Sequence, residues 1–216
     1  MDKREFKDAV YGELETVGKA VANRHRLELL DVLSQGQHTV EELADETQMS
    51  VANTSQHLQR LKKARLVTIR SEGTYKYYGL ADESVSEFFV VMRQLAEERL
   101  PVIEATVNSF FGANTTEWDE VADDIEQGQA VLLDTRPESE YRAGHLPGAI
   151  SVPADRVDEH IDKLPEDKRL VAYCRGPYCT MADEAVEDLC RRGYDAVRVE
   201  MSTPEFISDK RGELTR

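Results

Sequence analysis

The sequence has no cysteine before residue 174 and three in all, Cys174, Cys179 and Cys190. An odd number of thiols, in a chain that opens without an export segment, excludes a disulfide framework and points to chemistry at one thiol. Long apolar runs are also lacking: no stretch of about 18 apolar residues occurs, so no membrane-crossing helix is expected. The opening residues Met1-Asp2-Lys3-Arg4-Glu5 are charged and run into a helical pattern rather than an apolar leader, so the expected location is the cytoplasm. Neither an internal repeat nor a low-complexity segment is present. Net positive charge is missing too. The formal charge is −15, which argues against general affinity for nucleic acid along the whole chain.

That charge is unevenly spread. Residues 1–112 hold 14 Lys and Arg against 18 Asp and Glu, a net of −4, whereas the remainder holds 13 against 24, a net of −11. Within residues 50–80 six basic residues (Arg60, Lys62, Lys63, Arg65, Arg70, Lys76) face one acidic residue, Glu72. A local excess of positive charge inside an acidic chain fits an electrostatic footprint for DNA; from charge alone it fits a solvated helix face equally well.

Periodicity divides the chain in two. Phe6, Val10, Leu14, Val17 and Val21 recur at steps of three and four, which predicts a helix over 2–22. Asn23 can cap a helix over 24–34 that Gly36 ends, a short helix follows at 40–47, and Ser50 can cap another over 51–64. The period then shortens. Leu66 to Arg70 and Thr74 to Leu80 read as strands joined at Ser71-Glu72-Gly73, a hairpin. Residues 82–111 are helical again, with Pro101 expected to kink or divide them. Gly112 to Thr116 is the expected linker, giving domains at 1–112 and 113–216. Beyond it, strands at 130–134, 149–152, 170–174 and 196–199 alternate with helices at 116–127, 154–164 and 179–192, the pattern of a parallel α/β sheet.

Two short helices, a tight turn and a basic hairpin make a winged helix-turn-helix. On the helix at 51–64, Val51, Thr54, Leu58 and Leu61 form the expected inward stripe, and Asn53, Gln56, His57 and Arg60 the outward one. Amide, imidazole and guanidinium groups are the donors and acceptors that read base edges in the major groove. Lys62, Lys63 and Arg70 suit phosphates, and the hairpin from Thr68 to Tyr78, with Arg70 and Lys76, suits the wing. The segments Glu42-Leu43-Ala44, Ser55-Gln56-His57-Leu58-Gln59-Arg60-Leu61-Lys62-Lys63-Ala64-Arg65-Leu66-Val67 and Tyr77-Tyr78-Gly79-Leu80 resemble the ArsR/SmtB type of bacterial and archaeal repressors. The resemblance covers about residues 10–110. It implies a homodimer packed through the first and last helices, bound to a double-stranded operator and released by a signal. Arg65 stands where that family usually has Gly. The metals sensed by many such repressors are bound by cysteines that the helix at 40–47 lacks. Asp82, Glu83, Glu87, Glu97 and Glu98 read as a solvated face, and His25 and His38 as surface or packing residues, so neither metal nor cofactor is expected.

The segment Leu170-Val171-Ala172-Tyr173-Cys174-Arg175-Gly176-Pro177-Tyr178-Cys179 is a strand, a short loop and the start of a helix. Loop N–H groups and a helix N-terminus would lower the pKa of Cys174 and could hold a persulfide or an oxyanion. Together with Asp134-Thr135-Arg136-Pro137 and Gly144-His145-Leu146-Pro147-Gly148, this segment resembles rhodaneses over about 115–200. The resemblance implies an α/β rhodanese-like domain with a parallel sheet, in which Cys174 carries sulfur and the loop backbone of Arg175, Gly176 and Tyr178 binds it. Asp134 and Arg136 either lie near the site or organise the fold; His145 belongs to a structural turn. Cys179 stands where many sulfurtransferases have a basic residue, and is either a small helix-start residue or a resolving thiol. Cys190 is expected to face the core. The run from Cys174 to Cys179 resembles the subgroup already fused to ArsR-type regulators. No Arg closes the loop at Thr180-Met181, which disfavours phosphate or arsenate chemistry. Met201-Ser202-Thr203 and Phe206 replace the usual Gly-Gly and Trp, which weighs against full transferase activity. The expected function is a transcriptional regulator that senses small sulfur species (persulfide, polysulfide or thiosulfate) at Cys174. The alternatives are a sulfurtransferase whose DNA-binding half controls its own gene, and a regulator with an inert second domain.

Overall fold

The computed structural model describes residues 1–111, 114–208 and 214–215. It forms two compact units, Met1–Phe89 and Val90–Arg216. Among the described residues no helix is long and apolar enough to cross a membrane.

The first unit follows its capping signals. Helix α1 (Lys3–Val21) starts at Asp2, which shares a capping box with Glu5. Helix α2 (Arg24–Leu33) starts at Asn23, whose side chain accepts the Arg26 N–H. Thr39 and Glu42 box the start of α3 (Val40–Glu46), and Ser50 caps α4 (Val51–Lys63) by accepting the Asn53 N–H at 3.3 Å. Gln48, at φ +51°, makes the turn between them. Arg65 sits at φ +59°, so the helix stops in the left-handed conformation that Gly adopts without strain. Strands β1 (Val67–Glu72) and β2 (Tyr75–Leu80) pair antiparallel from Val67↔Leu80 to Glu72↔Tyr75. The core is built on Leu29, Leu30, Leu43, Leu58 and Leu61. Helix α1 contributes little to it. Ala20 and Val21 are buried, but Phe6, Val10 and Leu14, half or more of the expected stripe, stay exposed. Val51 is also exposed, because it lies in the first turn of α4, beyond the reach of that core.

Helix α5 (Glu83–Arg99) begins in the first unit's residues and ends in the second's. Pro101 divides the expected 82–111 helix by opening α6 (Pro101–Phe110) at its first position, where its missing N–H costs nothing. The second unit then holds a five-stranded parallel sheet. Its strands are β3 (Thr115–Thr116), β4 (Ala130–Asp134), β5 (Ile150–Ser151), β6 (Arg169–Tyr173) and β7 (Ala196–Val199), in the order β3-β7-β6-β4-β5. Helices α7 (Trp118–Glu126), α8 (Glu138–Ala143), α9 (Val157–His160), α10 (Met181–Arg191) and α11 (Thr203–Ser208) complete it. One core lies around Leu133, Leu170, Ala172, Val186 and Leu189; the other lies around Leu132, Leu146, Val171 and Tyr173.

Three local expectations change. Of the expected linker, Gly112 and Ala113 lie outside the described residues, and with them the 112/113 domain boundary; Thr115 and Thr116 are a strand edge paired with Arg198 and Val199. The helix expected at 154–164 is broken into 3-10 turns at Ala154–Arg156 and Ile161–Lys163 around α9. Pro153 and Pro165 bracket this stretch, and a residue before Pro is pushed toward extended backbone, as Leu164 is at ψ 136°. Helices α8 and α11, six residues each, are too short to announce themselves by periodicity.

Candidate functional site

Helix α4 presents Asn53, Gln56, Arg60, Lys62 and Lys63 to solvent, with Ser50 exposed at its cap. These residues can reach a groove or a phosphate without unpacking the unit, since Thr54, Leu58 and Leu61 hold the inner face. Arg70 and Lys76 are exposed on the hairpin. Arg70 is already engaged: it donates to Gln37 at 2.9 Å and to Glu72 at 2.6 Å, and its guanidinium lies 5.0 Å from the Tyr77 ring. One member of the outward stripe is misplaced by the sequence. His57 is 7% exposed and turned inward. Its Nδ1 lies 3.5 Å from Arg26 Nη1, and its ring is 5.6 Å from that of His25. Arg26 is held there by the carbonyls of Ala20 and Lys19. Burial, then repulsion from Arg26, His25 and Arg60, pushes the His57 pKa down, so it is a neutral packing group rather than a base reader.

In the second unit, Cys174 follows β6 directly and opens the loop that leads to α10. Its thiol is 1% exposed and lies 3.5 Å from the Cys179 carbonyl, to which it donates. That contact brings the two cysteines together at the ends of the loop. Burial pushes Cys174 well above the ordinary thiol value, although the N–H groups of Ala182 and Gly176 oppose it. Cys179 is pulled below that value by the Cys174 hydrogen bond and by the N–H groups of Arg175 and Met181. The two shifts run in opposite directions, Cys174 up and Cys179 down, where a lowered Cys174 was expected. The strand end places Cys174 in the core, and the helix start leaves Cys179 half-buried. Cys190, on α10, is also half-buried, and its thiol donates to the Ala196 carbonyl at 3.5 Å.

The loop is held by charges that come from far along the chain. Arg175 makes a forked pair with Glu140 of α8, at 3.1, 3.1 and 2.6 Å, both side chains buried. Arg198 of β7, 1% exposed, donates to the carbonyl of Pro177 at 2.7 Å and of Gly176 at 3.5 Å. Gly176 has φ +135°, and a Cβ there would come within 3.2 Å of Arg93 Nη1. Arg93 of α5 is 6% exposed; it pairs with Glu205 of α11 and with Glu97, and its guanidinium lies 5.8 Å from the Tyr178 ring. The Tyr178 hydroxyl donates to Glu97 at 2.6 Å. Sequence reasoning missed Glu140, Arg93, Glu97, Glu205 and Arg198. The signals available were arginines in apolar runs, Val90-Val91-Met92-Arg93 and Ala196-Val197-Arg198-Val199.

Asp134 and Arg136 do not line the loop. Both are fully buried, and Arg136 meets Asp134 at 2.5 Å while also donating to Gly144 at 2.9 Å and Thr203 at 3.3 Å. Tyr173 donates its hydroxyl to Asp134 at 2.5 Å. This knot ties the ends of β4 and β6 together and stands as a correction to their candidate catalytic role, since a group without surface cannot touch a substrate. His145 stacks on Tyr141 at 3.7 Å, in keeping with a turn residue.

Residues 23–68 match the model of the bacterial regulatory proteins of the arsR family, and residues 117–202 match that of the rhodanese-like domain. The HTH-type transcriptional regulator Rv0324 of Mycobacterium tuberculosis is 38% identical over 196 residues, which cover 90% of this chain and 87% of that protein. A tRNA sulfurtransferase of Pyrobaculum aerophilum is 33% identical over 107 residues, 49% of this chain but 22% of that enzyme. Among solved structures, the homodimeric winged helix-turn-helix DNA-binding domain of Mb0332 from Mycobacterium bovis is 41% identical and covers 46% of this chain and 91% of its own, with a TM-score of 0.43. With the winged helix-turn-helix and the thiol loop both in place, the chain belongs to the ArsR family of transcriptional regulators and carries a rhodanese-like domain.

Proposed function

We propose that this protein is a cytoplasmic, homodimeric repressor whose affinity for an operator is set by reactive sulfur at the Cys174–Cys179 pair. The observation that carries the reading is the pairing of Cys174 and Cys179 at the two ends of one loop, the Cys174 thiol donating to the Cys179 carbonyl at 3.5 Å, with Cys174 buried and Cys179 half-buried. Support for DNA comes from the exposed donors and acceptors on α4. Support for the dimer comes from the apolar residues that the chain leaves uncovered, Phe6, Val10, Tyr11 and Leu14 on α1 and Val91 and Leu95 on α5. Residues 1–112 are taken as the DNA-binding and dimerisation part and 113–216 as the sulfur-responsive part.

The chemistry balances with a hydropersulfide or polysulfide as donor. The Cys179 thiolate attacks the sulfane sulfur of the donor, RSSH; the donor's S–S bond breaks and RS⁻ leaves. Cys179 now carries a persulfide. Cys174 loses its proton and attacks the Cys179 Sγ, expelling HS⁻ and forming the Cys174–Cys179 disulfide. The net change is two thiols plus RSSH giving one disulfide, RSH and H₂S. Cys179 is thus the first thiol to react and Cys174 the resolving group.

The test pairs mass spectrometry with binding to a duplex that the reduced protein selects from a random-sequence pool. On polysulfide treatment the wild type forms the disulfide and loses about tenfold in affinity, equal to ~1.4 kcal/mol. Cys174→Ser retains one extra sulfur on Cys179 and keeps its affinity. The reading fails if the wild type forms the disulfide and binds unchanged, or if Cys174→Ser and Cys179→Ser both lose affinity as the wild type does. A second reading, sulfurtransfer, draws on the same N–H cradle; sustained thiocyanate release from thiosulfate and cyanide would favour it.

A further inference from the structure

We propose that Arg93 on α5, together with Tyr178 and Glu97, is the connector through which the Cys174–Cys179 loop and helix α5 bias one another. Arg93 lies outside both family matches, which span 23–68 and 117–202, and Glu205 does too. Yet Arg93 is a buried charge of the second unit, at 6% exposure. It is placed against the one glycine of the loop, whose backbone at φ +135° leaves room for the guanidinium. Its fork meets Glu205 on one side and Glu97 on the other, with the ring of Tyr178 near its face. Tyr178 precedes Cys179 and closes the circuit by donating to Glu97, one turn along α5 from Arg93.

This proposal rests on the sensing reading above and says which residues carry it. Oxidising the pair joins Cys174 to Cys179 and takes away the hydrogen bond from the Cys174 thiol to the Cys179 carbonyl. Tyr178 and Gly176 lie between those residues, so a bond between Cys174 and Cys179 acts on the segment that holds the two positions α5 grips. Helix α5 runs from Glu83 to Arg99, so its first turns belong to the residues of the DNA-binding unit. Two arrangements of this grip, one per oxidation state, would give α5 two positions. Linkage then makes the effect reciprocal: the factor by which oxidation weakens DNA binding equals the factor by which DNA resists oxidation.

The experiment measures that factor twice. Full-length protein is equilibrated in buffers of reduced and oxidised dithiothreitol, where the pair is oxidised to its disulfide as the cyclic dithiothreitol disulfide is reduced to its dithiol. The oxidised fraction is read by alkylation, with and without the selected duplex at saturation. Operator affinity is measured on the fully reduced and fully oxidised protein. In the wild type both factors are expected to agree, at about fivefold or more. Arg93→Lys keeps a charge for Glu205 but loses the planar fork. Tyr178→Phe deletes one hydroxyl from a half-exposed ring, a change that spares the core. Both variants should show the coupling factor reduced to less than half of the wild-type value, each compared with its own reduced form. Wild-type coupling that persists undiminished in both variants overturns the connector and leaves sensing intact. Equal binding by the reduced and oxidised wild type overturns sensing, and the connector with it.

Discussion

Helix α4 and the Cys174–Cys179 loop are the two candidate sites, and they are built in opposite ways. In α4 the functional groups point away from a helix that is packed without them, on Leu58 and Leu61. In the loop Arg175, Gly176 and Pro177 are gripped by buried partners from other elements: Glu140 on Arg175, Arg198 on the Gly176 and Pro177 carbonyls, Arg93 against Gly176. The first design separates stability from function. The second merges them, because a thiol pair can be tuned only by surroundings that exclude water.

The comparison is broken most forcefully at Glu140. Glu140→Gln leaves Arg175 buried with its counter-charge gone, and breaking a buried pair in this way costs about 3–5 kcal/mol. The expected outcome is a fall in the denaturant midpoint of that size, accompanied by altered thiol reactivity. A loss under about 1 kcal/mol would mean that the loop is not held by its charges and that the contrast with α4 is false.

A smaller effect, on the other side of the comparison, is expected at Gln56 and Arg60. Each change to Ala should leave stability within about 0.5 kcal/mol, since both side chains are exposed. Each should cost about 1–3 kcal/mol of operator binding and relax base preference. Lys62→Ala should weaken all sequences alike and reduce the slope of log affinity against log salt by about one. Unchanged base preference in Gln56→Ala would remove that residue from the readout.

The same contrast explains what could be read without a structure. Caps at Asn23 and Ser50, the turn at Gly73 and the opening of α6 at Pro101 are local physics, and the sequence states them directly. The Cys174 loop was legible because strand, loop and helix succeed one another within about ten residues. Its partners were not. Arg93 and Glu205 are separated by 112 positions, and Glu140 and Arg175 by 35. No period links residues that meet only when the sheet assembles. The upward shift of the Cys174 pKa was hidden for the same reason: burial, its cause, is a tertiary quantity. Asp134 and Arg136 were placed near the site by their position at a strand end, but the end of β4 is capped by Tyr173 and Thr203 rather than open to solvent.

The smallest expected effect sharpens the comparison at the residue of α4 that breaks its rule. His57 belongs by spacing to the outward stripe with Asn53 and Gln56, yet α2 brings Arg26 against it and it is buried. Its pKa in the folded chain is pushed down, first by burial and then by the cations around it. In the unfolded chain it titrates at about 6.5. Above that pH both forms are neutral and the residue contributes no pH dependence. As pH falls below it, the unfolded chain takes up a proton that the folded chain refuses, so stability declines until the folded value is passed. Urea midpoints between about pH 7 and pH 5 should therefore fall less steeply in His57→Gln than in the wild type. Identical slopes would mean that His57 protonates in place, as an exposed stripe member would. Base preference supplies the second reading: His57→Gln should leave it unchanged, whereas Gln56→Ala one position earlier should not.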